Sequence, residues 1–469
     1  MMQWAALFGD VNAGQALPAA ALITIALGAS LRRLRAQTRE AHKRGAVLID
    51  TRRRRRSAPT KESNADALAL AGRAVRFLDE TKHFKMVGTT GTGKTTAIRE
   101  LLCGALARGD RAVFADPDGG YSTRFFRRYR GDVILNPFDR ESVAWDPFAE
   151  IHDAYDIEQL SAGLIASTDD AASNEWRAYA RTFLSALLRR GWSERRCGAG
   201  ELWRLLAIAS VEELRAVVAG TPAQPFLDPE NARMFGSIRS VAVSALAALE
   251  YIQAQRGAPF SIREWVRGRP DPSALFITYR AAQIAALRSM IPTWMRLAIF
   301  EAMNGTEDHD QRLWFVVDEL DALGAIDGLK DALARLRKFG GRCVLGFQSI
   351  AQVSGTYGAA EAQTIVENCG NTLILRCSGS ESGGTSQFAS RLIGEREVIR
   401  RQASRGSDRD GWFFSRGVRR SKNVSDQHVT ELAVMASQIE QLPDLCGYLK
   451  SASSPVWRKV FLDARIPDA

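Results

Sequence analysis

A glycine-rich stretch constrains the fold of this chain more than any other feature. The stretch VGTTGTGKTT follows the short apolar run HFKMV and precedes AIRELLCGALARG, which carries apolar residues at helical spacing. Within it, Gly88–Thr95 matches the pattern G-x-x-x-x-G-K-[ST], in which a glycine-rich turn joins a strand to a helix. Glycines let successive backbone N–H groups point at phosphate oxygens, and the helix N-terminus adds a positive dipole. The pattern therefore predicts a nucleotide phosphate site.

Two side chains of this stretch have predicted roles in the phosphate site. Lys94 is expected to reach the β- and γ-phosphates, and Thr95 is expected to place its hydroxyl on Mg²⁺. A glycine-rich turn without a ligand is the alternative, and the Lys-Thr pair between a strand and a helix argues against it. ATP and Mg²⁺ are the predicted cofactors. The predicted cofactor-binding residues are Gly88, Thr89, Thr90, Gly91, Thr92, Gly93, Lys94, Thr95 and Thr96.

A second signal lies in the stretch RLWFVVDELDALG. Leu313–Val317 is an apolar run suited to a buried strand, and it ends in Asp318 and Glu319. Acidic side chains at the C-terminal end of such a strand lie at the ligand-binding edge of a parallel sheet. Asp318 is predicted to hold Mg²⁺ through water, and Glu319 to polarise the attacking water. Acidic pairs are also common in solvated turns, so this prediction depends on the phosphate site.

The order of apolar segments predicts an α/β fold. Short apolar runs alternate with helical patterns in FKMVG, RAVFAD and DVIL, and the alternation resumes in ALFITYR, LWFVVDE, RCVLGFQ and NTLILRC. This alternation favours one parallel sheet covered by helices. Between the two halves, helical periodicity predicts an all-α insertion. The predicted organisation is an N-terminal segment 1–31, a basic juxtamembrane and linker segment 32–80, a nucleotide-binding domain made of 81–148 and 264–469, and an inserted domain 149–263.

Charge is concentrated near the N-terminus. The formal net charge is +10, and residues 31–56 alone contribute +9. An uncharged apolar segment, residues 16–31, precedes this cluster, whereas a secretory signal peptide carries its positive charges first. This order favours one transmembrane helix with the bulk of the chain in the cytoplasm. A core helix beside a solvated basic segment is the alternative.

The cysteines and histidines give no sign of a metal site. The sequence has six cysteines and five histidines, and they are scattered without the close pairs of a zinc or redox motif. Reduced thiols in a cytoplasmic body are the simplest interpretation.

A basic segment in the C-terminal part of the chain suggests contact with nucleic acid. Between Arg400 and Lys422 there are eight basic residues against two aspartates, with Trp412, Phe413 and Phe414 among them. Basic groups neutralise phosphates and aromatic rings stack on bases, as in a single-strand channel. A surface loop or a partner-docking site is the alternative.

Several motifs, taken in order, resemble one known family. They are GTTGTGKT, FADPDGGYSTRFF, AWDPF before the helical insertion, VVDELDALG, LGFQS, NCGNTLILR and QIEQLPDLCGYL. Together they resemble the TraD/TrwB-type type IV coupling proteins of conjugation and type IV secretion, over roughly Phe84–Leu449. The resemblance implies a RecA-like P-loop NTPase sheet with an inserted all-α domain and an N-terminal transmembrane segment.

The resemblance also implies a function and partners. It implies a membrane-anchored, DNA-translocating P-loop ATPase of the bacterial inner membrane. The implied partners are single-stranded DNA, relaxase and other relaxosome proteins, type IV secretion channel proteins, the inner membrane and further copies of the chain in a homo-hexamer. Family members usually have two transmembrane helices, whereas this sequence has one convincing span before Arg32.

Two catalytic residues are implied only by the resemblance. Gln348, at the end of RCVLGFQ, matches the polar sensor of the γ-phosphate; a strand-end side chain bonded to the backbone is the alternative. Arg337, in LARLRKFGG, matches the arginine finger that acts across a subunit interface, where its fork of donors suits phosphoryl oxygens. A solvated helix position is the alternative for Arg337.

Two alternative functions remain open at this point. One is a substrate receptor whose ATP site switches assembly without translocating DNA. The other is a double-strand DNA pump of the FtsK/HerA kind, against which the large helical insertion after AWDPF argues.

Overall fold

The computed structural model describes residues 41–50, 68–168, 170–194, 198–268, 272–308, 311–381, 383–408 and 419–465. The smaller of two compact units combines the described residues up to Val47 with Ser390–Met435, and the larger unit holds the rest. The predicted transmembrane segment 16–31 and the aromatic group Trp412–Phe414 lie outside the described residues. In the described part of the chain, no helix is long and apolar enough to cross a membrane.

Strands and helices alternate through most of the described chain. In chain order the strands are β1 (Ala41–Gly45), β2 (Val47–Asp50), β3 (Leu68–Leu70), β4 (Arg73–Val75), β5 (Phe84–Val87), β6 (Arg111–Pro117), β7 (Val133–Leu135), β8 (Ala144–Trp145), β9 (Pro259–Phe260), β10 (Ala274–Tyr279), β11 (Leu313–Val317), β12 (Gly341–Phe347), β13 (Asn371–Ile374), β14 (Glu395–Asp408), β15 (Arg419–Leu432), β16 (Cys446–Lys450) and β17 (Val456–Phe461).

The α-helices of the described residues are mostly short, and the longest of them has 24 residues. They are Phe77–Glu80, Lys94–Ala107, Ser122–Phe125, Ala154–Leu164, Ala171–Glu194, Ala199–Ala207, Val211–Val218, Ala232–Ala245, Leu249–Ile252, Ile262–Arg267, Ile284–Leu287, Met290–Glu301, Leu329–Leu336, Ile350–Tyr357, Ala359–Asn368, Gly384–Ile393 and Ala436–Glu440.

The larger unit is built on a mixed sheet. Within the described residues it has ten strands in the order β2-β17-β16-β13-β5-β12-β11-β6-β10-β7. The seven strands from β13 to β7 run parallel to one another, whereas β16 pairs antiparallel with β13 and β17. Each of the seven apolar runs chosen from the sequence falls in one of these parallel strands. The predicted α/β fold is therefore confirmed, and the antiparallel extension is an addition to it.

The parallel strands are buried because helices cover the sheet. Every residue of β10, β11 and β12 is buried, which explains why these strands are almost continuously apolar. The helix Lys94–Ala107 buries Ile98 and Leu101 in the core that also contains Phe84 and Trp314. The rings of Phe84 and Trp314 lie 5.8 Å apart. This core fixes the loops at the C-terminal ends of the strands.

The region predicted to be an all-α insertion is mostly helical. Six consecutive α-helices of the described chain fill it between Ala154 and Ile252. Strand β9 lies inside the predicted range and pairs parallel with β8, with Ala144 opposite Pro259, so strand pairing joins the two ends of the region. A separate inserted domain stays a prediction.

The smaller unit is an antiparallel sheet of β1, β14 and β15. Its long strands β14 and β15 pair from Glu395 opposite Leu432 to Asp408 opposite Arg419, so the ends of the basic 400–422 segment are strands rather than a loop. Strand β1 also differs from the sequence analysis, which assigned residues 32–80 to a linker. Lys43 and Arg44 pair with Glu397 and, with His428, lower its pKa to about 2.

Candidate functional site

The glycine-rich loop joins β5 to the helix that begins at Lys94. Gly91 and Gly93 have φ angles of 77° and 112°, in the region that residues with a side chain rarely adopt. A Cβ atom at Gly93 would lie 2.9 Å from the Leu445 side chain. The backbone N–H of Leu445 donates to the carbonyl of Thr92 at 3.0 Å. Glycine is therefore needed both for the turn and for this close approach.

Lys94 folds back over the loop from the first turn of the helix. Its Nζ donates to the carbonyl of Gly88 at 2.6 Å and to that of Thr89 at 3.3 Å. The side chain is buried, and burial lowers the pKa of Lys94 although Asp318 and Glu319 act to raise it. The amino group thus lies between the loop carbonyls and a nearby acidic pair.

Asp318 follows β11 and links three elements at the sheet edge. Its Oδ2 accepts a hydrogen bond of 2.6 Å from Thr95 Oγ1 and one of 2.8 Å from Tyr121 Oη. Its Oδ1 is buried and, among the described residues, has no hydrogen-bond partner. The residue predicted to hold Mg²⁺ and the threonine predicted to assist it are therefore in direct contact.

Glu319 and Gln348 form the second contact of the site. Gln348 Nε2 donates to Glu319 Oε1 at 3.0 Å, and Thr90 Oγ1 donates to Gln348 Oε1 at 2.8 Å. Burial, and next the charge of Asp318, raise the pKa of Glu319. Gln348 therefore bridges the glycine-rich loop and the acid, whereas the alternative from the sequence was a bond to the backbone.

A cavity of about 190 Å³ lies where these residues converge. Three of the predicted binding residues do not line the cavity: Gly88, Thr89 and Thr92. Thr92 Oγ1 donates to the Thr89 carbonyl at 2.7 Å and so stabilises the loop. The residues lining the cavity are Thr90, Gly91, Gly93, Lys94, Thr95, Thr96, Asp318, Glu319, Gln348 and Leu445.

Arg337 does not join this site within its own chain. It is exposed in the short 3₁₀ turn that precedes β12, whereas Gln348 follows the other end of that strand. The seven residues of β12 span about 20 Å at ~3.3 Å per residue, so Arg337 lies at the opposite edge of the sheet.

Sequence reasoning missed two residues of the site, Tyr121 and Leu445. The motif DPDGGY, which begins in the last residues of β6, was used only for the family resemblance, although its position at a strand end could have marked Tyr121. Leu445 lies between a short helix and β16, inside the motif QIEQLPDLCGYL, which was likewise used only for the family resemblance. Its contact with Gly93 depends on the antiparallel strands that the sequence analysis did not predict.

Comparisons with known proteins give one consistent family. Residues 67–462 match the family model described as the type IV secretion-system coupling protein DNA-binding domain. The coupling protein TraD of Escherichia coli (strain K12) is 32% identical over 383 residues, which cover 79% of this chain and 51% of TraD. The chain therefore spans about half the length of the curated relatives that it matches.

Solved structures agree with this family. The unbound form of the bacterial conjugative coupling protein TrwBdeltaN70 matches with a TM-score of 0.76 and 31% identity, over 91% of this chain and 95% of that one. The plasmid coupling protein TrwB in complex with ADP and Mg²⁺ matches with a TM-score of 0.77 and 30% identity over the same shares. The chain thus belongs to the type IV secretion-system coupling proteins.

Proposed function

We propose that this chain is a membrane-anchored ATPase that drives DNA through a type IV secretion or conjugation channel. The observation that carries the proposal is the contact of Thr95 with Asp318 beside the glycine-rich loop, with Glu319 held by Gln348 at the same cavity. Family membership supports the substrate, because the related protein TrwB has been solved with an ATP analogue and with ADP and Mg²⁺.

The residues of the cavity fit a nucleoside triphosphate with its magnesium ion. Gly91 and Gly93 provide the turn that directs backbone N–H groups at phosphates, and Lys94 provides a cation. A threonine hydroxyl and a carboxylate are the hard oxygen donors that Mg²⁺ prefers. We therefore assign Thr95 and Asp318 to Mg²⁺, whose positive charge would stabilise the charge on the transferred phosphoryl group.

The remaining side chains have distinct roles in this proposal. When nucleotide binds, Lys94 gives up its hydrogen bonds to the loop carbonyls and binds the β- and γ-phosphates instead. Glu319 accepts a proton from the attacking water, and burial suits it to that task because a raised pKa makes a carboxylate a stronger base. Gln348 holds Glu319 and also contacts Thr90, so a change in the loop when the γ-phosphate binds would alter the position of Glu319.

Arg337 is proposed to act on the site of a neighbouring subunit in a hexamer. Its exposure and its position at the edge opposite its own cavity support action across an interface. A guanidinium suits this role because its donors match phosphoryl oxygens.

DNA and the membrane are the other proposed partners. The basic segment 400–422 is proposed to contact single-stranded DNA, and the apolar segment 16–31 to anchor the chain in the inner membrane. Relaxase and channel proteins follow as partners from the family.

ATP hydrolysis by the full-length protein in detergent tests the proposal. Single-stranded DNA is expected to stimulate turnover, and Lys94→Ala is expected to abolish it. Lys82→Ala is the control, because Lys82 precedes the same strand, contacts Asp79 at 2.8 Å and does not line the cavity. Turnover indifferent to DNA would favour the receptor function, and stimulation by duplex DNA alone would favour a double-strand pump.

A further inference from the structure

Tyr121 contacts the site from a loop to which the proposed function assigns no role. Its ring is fully buried, and its hydroxyl donates to Asp318 Oδ2, the same oxygen that accepts from Thr95. Two hydroxyl groups from different elements thus converge on one carboxylate oxygen. Partners of a metal-binding side chain fix its orientation, and their loss typically lowers metal affinity or activity by about 10- to 100-fold.

The loop that carries Tyr121 is fixed by the end of β6. The buried carboxylate of Asp116 accepts the backbone N–H of Tyr121 at 2.8 Å and that of Ser122 at 2.7 Å. Between them, Asp118 and Gly119 have positive φ angles of 55° and 69°, so the chain reverses sharply at this point. Asp116 therefore holds the tyrosine at the edge of the sheet.

The loop is also tied to the helix that begins at Lys94. Arg99, one turn after Thr95, donates from Nη2 to the carbonyl of Gly120 at 2.9 Å. A Cβ atom at Gly120 would lie 3.2 Å from that nitrogen, so the absence of a side chain permits the approach. The helix that carries Thr95 therefore also holds the backbone next to Tyr121.

Gly346 closes the other side of Asp318. A Cβ atom at this position of β12 would lie 2.9 Å from Asp318 Oδ1 and even closer to its backbone carbonyl. The carboxylate is therefore confined between the β12 backbone and the two hydroxyl donors. Only the Tyr121 hydroxyl can be removed from this arrangement without changing the backbone or a proposed magnesium ligand.

We propose that Tyr121 is a positioning residue, which holds the Asp318 carboxylate in the orientation that binds the divalent cation accompanying the triphosphate. The inference rests on the proposed function of the cavity. Phenylalanine at this position would keep the ring contact with Phe114, whose centroid lies 5.4 Å away, and would remove only the hydroxyl. Tyr121→Phe therefore separates orientation of Asp318 from packing of the core.

The test measures binding of a fluorescent, non-hydrolysable ATP analogue to the full-length protein in detergent. Affinity is measured first in EDTA and then during a Mg²⁺ titration. We expect Tyr121→Phe to match the wild-type protein in EDTA but to need about 10-fold more Mg²⁺ for the half-maximal increase in affinity, since partners of metal ligands typically contribute 10- to 100-fold.

Tyr357→Phe is the matched control. Tyr357 is also buried, and its hydroxyl accepts the backbone N–H of Ile326 at 3.2 Å instead of contacting Asp318. Its Mg²⁺ requirement is expected to equal that of the wild-type protein. A wild-type Mg²⁺ requirement for Tyr121→Phe, or equal increases for both variants, would overturn the positioning role while leaving the nucleotide site intact. Absence of nucleotide binding to the wild-type protein would instead overturn the proposed function, and this inference with it.

Discussion

Gln348 Nε2 lies 3.0 Å from Glu319 Oε1, and Gln348 Oε1 simultaneously accepts a hydrogen bond from Thr90 at 2.8 Å. One amide therefore joins the strand-end acid to the glycine-rich loop. The two contacts use opposite ends of the amide, so a shift of the loop would change the bond that holds the carboxylate. The role of Gln348 as a sensor of the γ-phosphate stays a prediction.

The first prediction concerns this amide. Gln348→Ala frees Glu319 and also removes one bond to Thr90 of the loop, so kcat for ATP hydrolysis is expected to fall by about 10²-fold, as for a misplaced general base. Nucleotide affinity is expected to change little. Steady-state hydrolysis and equilibrium binding measure the two quantities separately.

Gln352→Ala is the control for this prediction, because Gln352 is exposed on the helix that follows Gln348. It should retain wild-type turnover. Equal losses of kcat and of nucleotide affinity in Gln348→Ala would show that the amide supports the loop rather than the acid.

A second prediction follows from the strands β1 and β2. Deleting residues 1–40 removes the apolar segment 16–31 but keeps both strands, so the product is expected to leave the membrane fraction without loss of thermal stability. Deleting residues 1–56 also removes β1, whose Ala41 pairs with Ile399, and should lower the unfolding temperature. Sedimentation after a high-salt wash and thermal unfolding measure these effects.

The full-length chain should remain with the membranes in the same wash. A variant with Arg52–Arg56 replaced by alanine, in which residues 16–31 are intact, distinguishes the effect of the apolar segment from that of the basic cluster. This variant should also remain bound to the membranes. Retention of the 1–40 deletion in the washed membranes would contradict the anchor.

The sequence was sufficient to predict the parallel part of the sheet. Strands buried on both faces must be nearly all apolar, and β11 and β12 stand out for that reason. The cavity residues Lys94, Thr95, Asp318 and Glu319 also follow from local patterns, because carboxyl ends of parallel strands meet at one edge. Their catalytic roles stay predictions.

The remaining elements depend on contacts between distant parts of the chain. Strand β1 is exposed along its length and basic in sequence, so no alternation of apolar residues marks it. Strands β16 and β17 extend the sheet by antiparallel pairing with β13 and with each other, and β13 lies more than 70 residues earlier in the chain. The bond from Tyr121 to Asp318 joins residues 197 positions apart, and neither residue has a neighbour that indicates the other.

A third prediction concerns His83, a buried histidine directly before β5. Its Nε2 hydrogen-bonds to the carbonyl of Leu333 at 2.9 Å, and its Nδ1 accepts the backbone N–H of Cys343 at 3.1 Å. The neutral ring satisfies both bonds, whereas protonation would place two N–H groups against each other. Burial, with the nearby charges of Arg342 and Arg337, lowers the pKa of His83 to about 4.

This pKa fixes the direction of the pH dependence. Between about pH 6.5 and pH 4 the unfolded chain binds a proton that the folded chain does not, so stability is lost as the pH falls through this range. The decrease in the free energy of unfolding approaches about 3 kcal/mol at the lower end of this pH range. Thermal unfolding of the wild-type protein and of His83→Asn between pH 7.5 and 4.5 measures this decrease. Asparagine is chosen because it tolerates the positive φ of 55° at this position.

His83→Asn is expected to be less stable at neutral pH but to lose less stability on acidification. His42→Asn is the control, because His42 is exposed on β1 and should keep the wild-type pH dependence. The same pH dependence in all three proteins would mean that other groups account for acid unfolding.

The last prediction concerns Arg337, which is exposed at the edge of the sheet opposite its own cavity. If it completes the site of a neighbouring subunit, Arg337→Ala should bind ATP normally and hydrolyse it about 10³-fold or more slowly, as for other arginine fingers. Arg335→Ala is the matched control, since Arg335 is exposed two residues earlier and should retain turnover.

Mixing two inactive variants distinguishes action across the interface from action within the chain. Glu319→Gln keeps its arginine but lacks the acid, whereas Arg337→Ala keeps the acid but lacks the arginine. In mixed rings some interfaces combine the intact acid of one subunit with the intact arginine of the next, so hydrolysis should partly return. Action within one chain offers no such combination, because every subunit then lacks one of the two groups. No recovery in rings shown to contain both variants would therefore contradict the interface role of Arg337.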